Sequence, residues 1–150
     1  MNKITPFLWF NTNAEDAANF YISVFPNSKK IQELRATEAG PGPKGSLLTI
    51  HLELNGQQVT FLNGGPAHQL TEAFSFSVSC DTQAEIDSYW SKLTDGGKEI
   101  ACGWLKDRFG LCWQVVPAGI AELLRKPAAM RAMMSMKKFD IAALERAAAE

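Results

Sequence analysis

A pattern of strand, capped helix and strand occurs twice in the chain, at the shift of 69 positions that separates Phe7 from Phe76. The aligned pairs are Phe7 and Phe76, Thr12 and Asp81, Phe20 and Tyr89, Tyr21 and Trp90, Lys29 and Lys98, and Ile31 and Ile100. Because the cap, the aromatic pair and the trailing strand agree in one register, chance similarity between two amphipathic helices is the weaker explanation. The period is too long for a solenoid. The repeat predicts an α+β fold of two βαβββ modules, each a four-stranded sheet with a helix on one face.

The first module has local signals for each of its elements. The apolar run at 4–10 predicts a strand. Residues 11–13 can cap the start of a helix, and apolar residues then recur at helical spacing. Pro26 ends this predicted helix. The Asn-Gly pair at 55–56 suits the type I′ turn of a hairpin. Further strands are predicted at 30–36, 47–54 and 58–62, with a loop at 39–45.

The second module opens with the strict alternation of residues 74–80, which predicts its first strand. Asp81 and Thr82 cap a helix that ends at 95–97. Two more strands are predicted at 100–106 and 111–116, around a turn at 107–110. Residues from about 118 to 149 are rich in Ala, Leu, Met and Arg, which predicts two or three helices.

Composition narrows the class of protein. The 150 residues include 15 Lys and Arg against 16 Asp and Glu, for a net charge of -1, with 46% hydrophobic and 21% charged residues. This balance is globular, and the near-zero charge argues against nucleic-acid and membrane-surface binding, which need a basic face. The three cysteines form no CxxC pair, so neither a disulfide framework nor a zinc knuckle is indicated. Without a signal-peptide core or an apolar run of about 20 residues, we expect a cytoplasmic protein.

Several local strings carry a family resemblance. They are residues 6–10, 20–21 with 25–26, 62–66, 73–76, 102–104 and 107–117. These strings and the two βαβββ modules resemble the PhnB-like family of the vicinal-oxygen-chelate superfamily, which includes glyoxalase I, bleomycin-resistance proteins and extradiol dioxygenases. The family is often labelled "3-demethylubiquinone-9 3-methyltransferase". The resemblance covers essentially the whole chain and implies one glyoxalase/bleomycin-resistance-like domain, with module 1 at about 1–66, module 2 at about 70–117 and a helical tail at about 118–150.

The resemblance also implies where a metal would bind. Metal enzymes of the superfamily place one ligand near the start of each module's first strand and one on each module's last strand. Those positions fall on Pro6, Ser75, Thr60 and Gln114. Catalytic divalent sites use imidazole or carboxylate ligands, whereas proline has no ligand atom and the other three residues are neutral. We therefore expect no metal and no cofactor at the usual site.

The alternation in the strands collects polar residues on one face of each sheet. This face is predicted to carry Thr49, His51, Glu53, Gln58, Thr60, Ser75, Ser77, Ser79, Cys112 and Gln114. One interpretation is a cavity lined by the sheets, because the superfamily curls its sheets, with Thr60, Ser75, Ser77 and Gln114 as ligand-binding residues. Trp104 flanks this cavity and could stack on a planar ligand. The alternative is an ordinary solvated sheet face, with Trp104 as a core or interface anchor.

His51 and Glu53 are the best candidates for catalysis. They share a face, and the imidazole could act as a base or as the ligand of a displaced metal. A lone histidine on a strand is more often structural or exposed, and that alternative stays open. The charged turn at Lys106, Asp107 and Arg108 is interpreted as a solvated run, with Arg108 as an alternative clamp for an anion.

The methyltransferase label finds no support in the residues. Methyltransferases of the usual kind bind their cofactor at a Gly-rich turn between a strand and a helix. Here the Gly-rich turn at 63–66 leads through residues 67–70 to another strand.

The apolar residues of the helical tail predict that the chain forms a homodimer. The tail supplies a flexible apolar surface from Leu123, Leu124, Met130, Met133, Met134 and Met136. We expect these helices to pack on a partner subunit in a two-fold homodimer.

Three hypotheses of function follow. The first is metal-independent binding of a small molecule. The second is a lyase or isomerase that uses a displaced metal or an acid–base site near His51. The third is a methyltransferase.

Overall fold

The two halves of the chain fold into sheets with the same strand order. The computed structural model describes residues 2–150, and Met1, the first residue of the predicted module 1, lies outside them. The first unit ends at Leu70 and contains β1 (Phe7–Phe10), α1 (Ala14–Val24), β2 (Lys29–Arg35), β3 (Leu47–Leu54) and β4 (Gln57–Asn63). Its sheet has the order β1-β4-β3-β2, in which β1 and β4 are parallel and the other neighbours are antiparallel.

The second unit, from Thr71 to Glu150, repeats this arrangement and adds the tail. It contains β5 (Ser75–Cys80), α2 (Gln83–Thr94), β6 (Lys98–Glu99), β7 (Trp104–Lys106), β8 (Cys112–Pro117), α3 (Ile120–Leu123), α4 (Pro127–Met134) and α5 (Ile141–Ala148). The sheet order is β5-β8-β7-β6. The predicted repeat, the α+β class and a helical tail are therefore confirmed, and the tail has three helices where two or three were predicted.

Apolar residues on one side of each sheet pack against its helix. In the first unit, Tyr21 of α1 meets Phe61 of β4 edge to face, with ring centroids 5.7 Å apart, and Phe61 also contacts Phe10 at 4.9 Å. In the second unit, α2 buries Ile86 and Leu93 completely. Burying side chains of this size stabilises the fold by roughly 1.5–3 kcal/mol each. The opposite side of each sheet carries most of the polar residues, together with a few exposed apolar side chains such as Phe7.

The helices α1 and α2, one in each unit, begin in different ways. The Thr82 hydroxyl accepts a hydrogen bond from the Glu85 amide, so the predicted cap of α2 is confirmed. Asn13 occupies the cap position of α1 without a side-chain bond. The Ala14 amide donates instead to Asn63 Oδ1 at 2.8 Å, so a residue from β4 completes this helix start.

The hairpin between β3 and β4 turns as predicted. Asn55 and Gly56 have φ angles of 47° and 90°, the two positive values that a type I′ turn requires. The turn fixes the register in which His51 lies opposite Thr60.

The predicted strand at 100–106 is wrong, because the chain turns sharply in its middle. Cys102 and Gly103 have φ angles of 55° and 81°. Their amides donate to the Met136 and Lys137 carbonyls at 2.8 Å each. Only β7, at Trp104–Lys106, lies within the predicted segment, and β6 ends before it at Glu99. The strand predicted at 4–10 also begins later, at Phe7.

The tail docks on its own unit. Phe139 and Leu144 are buried, and Gln83 of α2 donates to the Phe139 carbonyl and accepts from the Ile141 amide, both at 2.9 Å. Among residues 2–150, no helix combines the length and the apolar character needed to cross a bilayer.

Candidate ligand-binding faces

The first face is the side of the first sheet that points away from α1. Cross-strand pairing sets Gln32, His51, Thr60 and Phe7 side by side in one row. Because side chains alternate along a strand, paired residues lie on the same face of the sheet. The structure thus brings together two of the predicted site residues, His51 and Thr60.

The His51 ring is held at both nitrogens. Nδ1 lies 2.9 Å from Thr60 Oγ1, and Nε2 lies 3.2 Å from Gln58 Oε1. Thr60 is only 8% exposed, whereas His51 is half-buried. Glu53 shares the face one pair further along, opposite Gln58. The hydrogen bonds of the imidazole go to Thr60 and Gln58, and not to the predicted partner Glu53.

A groove of about 360 Å³ runs over this row. Its lining residues are Thr5, Phe7, Gln32, Glu33, Leu34, Thr49, His51 and Thr60. Phe7 and Leu34 are 62% and 54% exposed, unusual values for large apolar side chains in strands. Phe7 and Leu34 are not among the site residues predicted from the sequence. Alternation along the first strand could have placed Phe7 on the polar side, but its position next to Thr60 depends on pairing between distant strands.

The second face lies on the sheet of the second unit. Trp104, Gln114 and Ser77 form one row across β7, β8 and β5. Gln114 Nε2 donates to Ser75 Oγ at 3.1 Å. The four predicted ligand-binding residues of this unit therefore share a face, with an indole beside an amide and two hydroxyls.

The neighbouring row of the second face carries an ion pair and a thiol. Lys106, Cys112 and Ser75 lie side by side, and Lys106 pairs with Glu72. The hydrogen bond with the Lys106 ammonium group lowers the pKa of the Glu72 carboxyl. The same bond raises the pKa of Lys106. Burial raises the pKa of the Cys112 thiol, so this sulfur is a neutral apolar group at physiological pH.

The charged turn at 106–108 is not a solvated run, because Asp107 is buried. Its side chain accepts from the Phe109 amide at 2.8 Å, the Leu111 amide at 3.1 Å and Trp113 Nε1 at 2.8 Å. Only 3% of the residue is exposed. Arg108 donates to the backbone and carboxylate oxygens of Asp95, so its guanidinium is engaged at the end of α2.

The residues at the superfamily's metal positions do not fit a divalent cation. Pro6 has no side-chain donor atom, Thr60 is bonded to His51, and Ser75 and Gln114 are bonded to each other. None supplies the imidazole or carboxylate that such sites use. Within residues 2–150, no three side chains of His, Cys, Asp or Glu come together in a group that could hold a metal ion.

The Gly-rich loop after β4 also does not fit a nucleotide-type cofactor. No helix follows it, and the next element is β5. A Cβ atom at Gly64 would overlap the Trp9 indole, whose Nε1 donates to the Gly65 carbonyl at 2.9 Å. The two glycines thus accommodate a tryptophan of the same unit.

A second cleft in the first unit, of about 450 Å³, lies near the start of α1. Its one basic side chain among the described residues, Arg35, forms ion pairs with Glu15 at 3.2 Å and Glu33 at 3.0 Å. Because the guanidinium is already neutralised, the cleft offers less binding chemistry than the two faces.

Comparison with known proteins places the chain in a family. A family model described as 3-demethylubiquinone-9 3-methyltransferase matches residues 2–116. A PhnB protein from Bacillus cereus is 34% identical, with a TM-score of 0.71, covering 77% of this chain and 99% of its own. No curated protein sequence gives a significant match.

More distant structures agree on the fold. Protein PA1353 from Pseudomonas aeruginosa is 21% identical, with a TM-score of 0.63, covering 78% of this chain and 98% of its own. The fosfomycin resistance protein FosX from Mesorhizobium loti is 13% identical, with a TM-score of 0.56, covering 83% and 99%. The predicted family is thus confirmed: the chain belongs to the family described as 3-demethylubiquinone-9 3-methyltransferase, and it resembles the PhnB protein in sequence and fold.

Proposed function

We propose that this protein binds a small molecule on the polar faces of its sheets, without the metal site that is usual in the superfamily. The observation that carries the proposal is the row Gln32–His51–Thr60–Phe7, which lies under a groove and combines hydrogen-bonding side chains with an exposed aromatic ring. Sites for small molecules combine apolar walls with a few polar groups that fix orientation.

The second face supports the same chemistry. Trp104 offers a planar surface for stacking, and Gln114, Ser75 and Ser77 offer amide and hydroxyl groups beside it. The ammonium group of Lys106 is paired with Glu72. These neutral groups favour an uncharged planar compound with hydrogen-bonding substituents over a phosphate or phosphonate.

A fragment screen tests this proposal. Uncharged aromatic amides and phenols are added to ¹⁵N-labelled protein, and amide shifts are recorded. We expect hits to shift signals at His51 and Thr60 or at Ser77, Trp104 and Gln114. Thr60→Val and Trp104→Ala should weaken binding to their respective faces by roughly tenfold, the value of one good contact.

The control for the screen is Thr37→Val, in a loop outside both faces. This variant should bind fragments like the natural protein. Hits that cluster away from both faces, or equal binding by all variants, would refute the proposal.

His51 supports a second candidate function, an acid–base enzyme of the lyase or isomerase class. A neutral ring that donates from Nε2 to Gln58 can accept the Thr60 hydroxyl proton at Nδ1. The base is thus oriented inside the groove, where a substrate proton could replace that of Thr60. Glu53 is the second candidate residue, as a charged group on the same face.

Two measurements separate the enzyme from the binding protein. Metal analysis of the purified protein decides whether a displaced metal is present, and stoichiometric divalent metal that is lost in His51→Ala would support the enzyme. His68→Ala is the matched control, because His68 is exposed in a loop. The second measurement is the rate at which any substrate that is found is converted by the natural protein and by His51→Ala. A rate that is unchanged in His51→Ala would exclude a role for His51 in catalysis.

The methyltransferase activity named by the family description ranks third. The loop at 63–66 supplies no cofactor-binding turn. We expect no thermal shift with millimolar S-adenosylmethionine, and a shift of several degrees would reverse this ranking.

We also propose a cytoplasmic homodimer. Leu123 and Leu124 of the tail are half-buried, and a partner subunit could cover the apolar surface that they leave open. Sedimentation should give twice the monomer mass, and a monomer at micromolar concentration would refute the dimer.

A further inference from the structure

Four of the chain's five methionines lie within seven residues, a cluster that the proposed ligand-binding faces do not use. Met130, Met133 and Met134 occupy positions i, i+3 and i+4 of α4. Residues at this spacing are neighbours on one side of a helix, with Cβ atoms about 5–6 Å apart. Three thioether groups therefore share one face of α4.

Packing within the chain leaves this face of α4 exposed, and the dimer interface proposed at Leu123 and Leu124 does not include it. Met134 is 68% exposed and Met130 is 39% exposed, while Met133 is half-buried. The buried residue of α4 is Ala129. The helix therefore docks through a small side chain and leaves the side chains of Met130 and Met134 exposed.

Thioethers are neutral, polarisable ligands that select soft monovalent cations. Each methionine has an unbranched side chain with three rotatable bonds, so sulfurs on adjacent turns can converge on one ion. The carbonyl end of a helix adds partial negative charge, and Met134 is the last residue of α4. Arg131 in the same turn opposes a cation, which limits the affinity.

We propose that Met130, Met133 and Met134 form a binding site for a soft monovalent cation, Cu(I) or Ag(I), on the surface of α4. Met136 lies beyond the helix end, where its carbonyl accepts from the Cys102 amide at 2.8 Å. The site consists of the three helical methionines. This proposal is independent of the proposed binding of a small molecule on the sheet faces.

Silver nitrate is the probe, because Ag(I) undergoes no redox change and does not broaden NMR signals. The full chain is labelled at the methionine methyl groups and carries Cys102→Ser, which removes a half-buried competing thiol. We expect the methyl signals of Met130, Met133 and Met134 to shift together and to saturate at one equivalent of silver. The Met1 signal should not move.

Leucine variants test the ligand set, because leucine conserves the volume of methionine but has no sulfur. Met130→Leu and Met134→Leu should each weaken silver binding roughly tenfold, as expected for loss of one soft ligand of three. Met136→Leu is the matched control and should bind like the parent. Unchanged methyl signals in excess silver would overturn the proposal, as would equal affinity in all variants or a loss in Met136→Leu as large as that in Met134→Leu.

Discussion

Asp107 shows how one side chain can organise a turn from the inside. Its carboxylate accepts hydrogen bonds from the Phe109 and Leu111 amides and from the Trp113 indole, while almost none of the residue is exposed. Hydrogen bonds to a buried charge are stronger than bonds between neutral groups. A buried donor that loses such a partner lowers the free energy of unfolding. The sequence shows only a charge between Lys106 and Arg108, and the interpretation of this turn as a solvated run is wrong because the structure buries that charge.

Replacing Asp107 should destabilise the protein severely. Asp107→Ala leaves buried N–H donors without an acceptor, so we expect a loss of about 3 kcal/mol in the free energy of unfolding. Urea denaturation measures the loss. Asp95→Ala is the control, because that side chain is 78% exposed in its pair with Arg108 and should change stability by less than about 0.5 kcal/mol. Equal effects of the two substitutions would contradict the account of Asp107.

The buried cysteines should be inert in the folded protein. Burial raises the pKa of Cys80 to about 11 and also raises that of Cys112, so the reactive thiolate is scarce at both positions. In iodoacetamide at about pH 8, native protein should gain no label on either residue, whereas urea-unfolded protein should label both. Peptide mass spectrometry locates the label. Rapid labelling of Cys112 in the native protein would contradict the burial of its thiol.

At the scale of elements, local signals predicted well where neighbours in sequence decide the structure. The Asn55–Gly56 turn and the Thr82 cap are examples, because each depends on a few adjacent residues. The division between β6 and β7 could not be predicted in this way. It depends on carbonyls at Met136 and Lys137, more than thirty residues further along the chain. The start of α1 likewise depends on Asn63 of β4.

Docking of the tail on α2 should depend on pH. Lys138 lies 2.7 Å from Asp87, and this bond is the main cause of the lowered pKa of the Asp87 carboxyl. A carboxyl whose pKa is lower in the folded state stabilises the fold above its ordinary pKa of about 4, and this contribution disappears as pH falls through the lowered value. Lys138→Met should therefore be less stable than the natural protein at neutral pH and equally stable near pH 2.

Urea denaturation at several pH values measures this difference. Lys44→Met provides the control, because Lys44 and its partner Glu38 are both exposed in a loop of the first unit. This variant should match the natural protein at every pH. A Lys138→Met difference that persisted undiminished in acid would show that the stabilisation comes from packing instead of charge.

At the scale of the whole molecule, the repeat was sufficient to predict the fold. Two copies of one pattern led to two sheets with the same strand order, because each module must bury one apolar face under its helix. Alternation also predicted which polar residues share a face, including His51 with Thr60 and Ser75 with Gln114. The groove and the exposure of Phe7 depend on register and packing, which alternation alone does not specify.

The central claim is that these polar faces bind a small molecule without a metal. The most direct test is the affinity of the best fragment from the screen, measured by calorimetry in EDTA and again with added Mn(II) or Zn(II). We expect the same dissociation constant in all conditions, because Pro6, Thr60, Ser75 and Gln114 supply no suitable ligands for these ions. Binding that disappears in EDTA and returns with a divalent metal would contradict the claim.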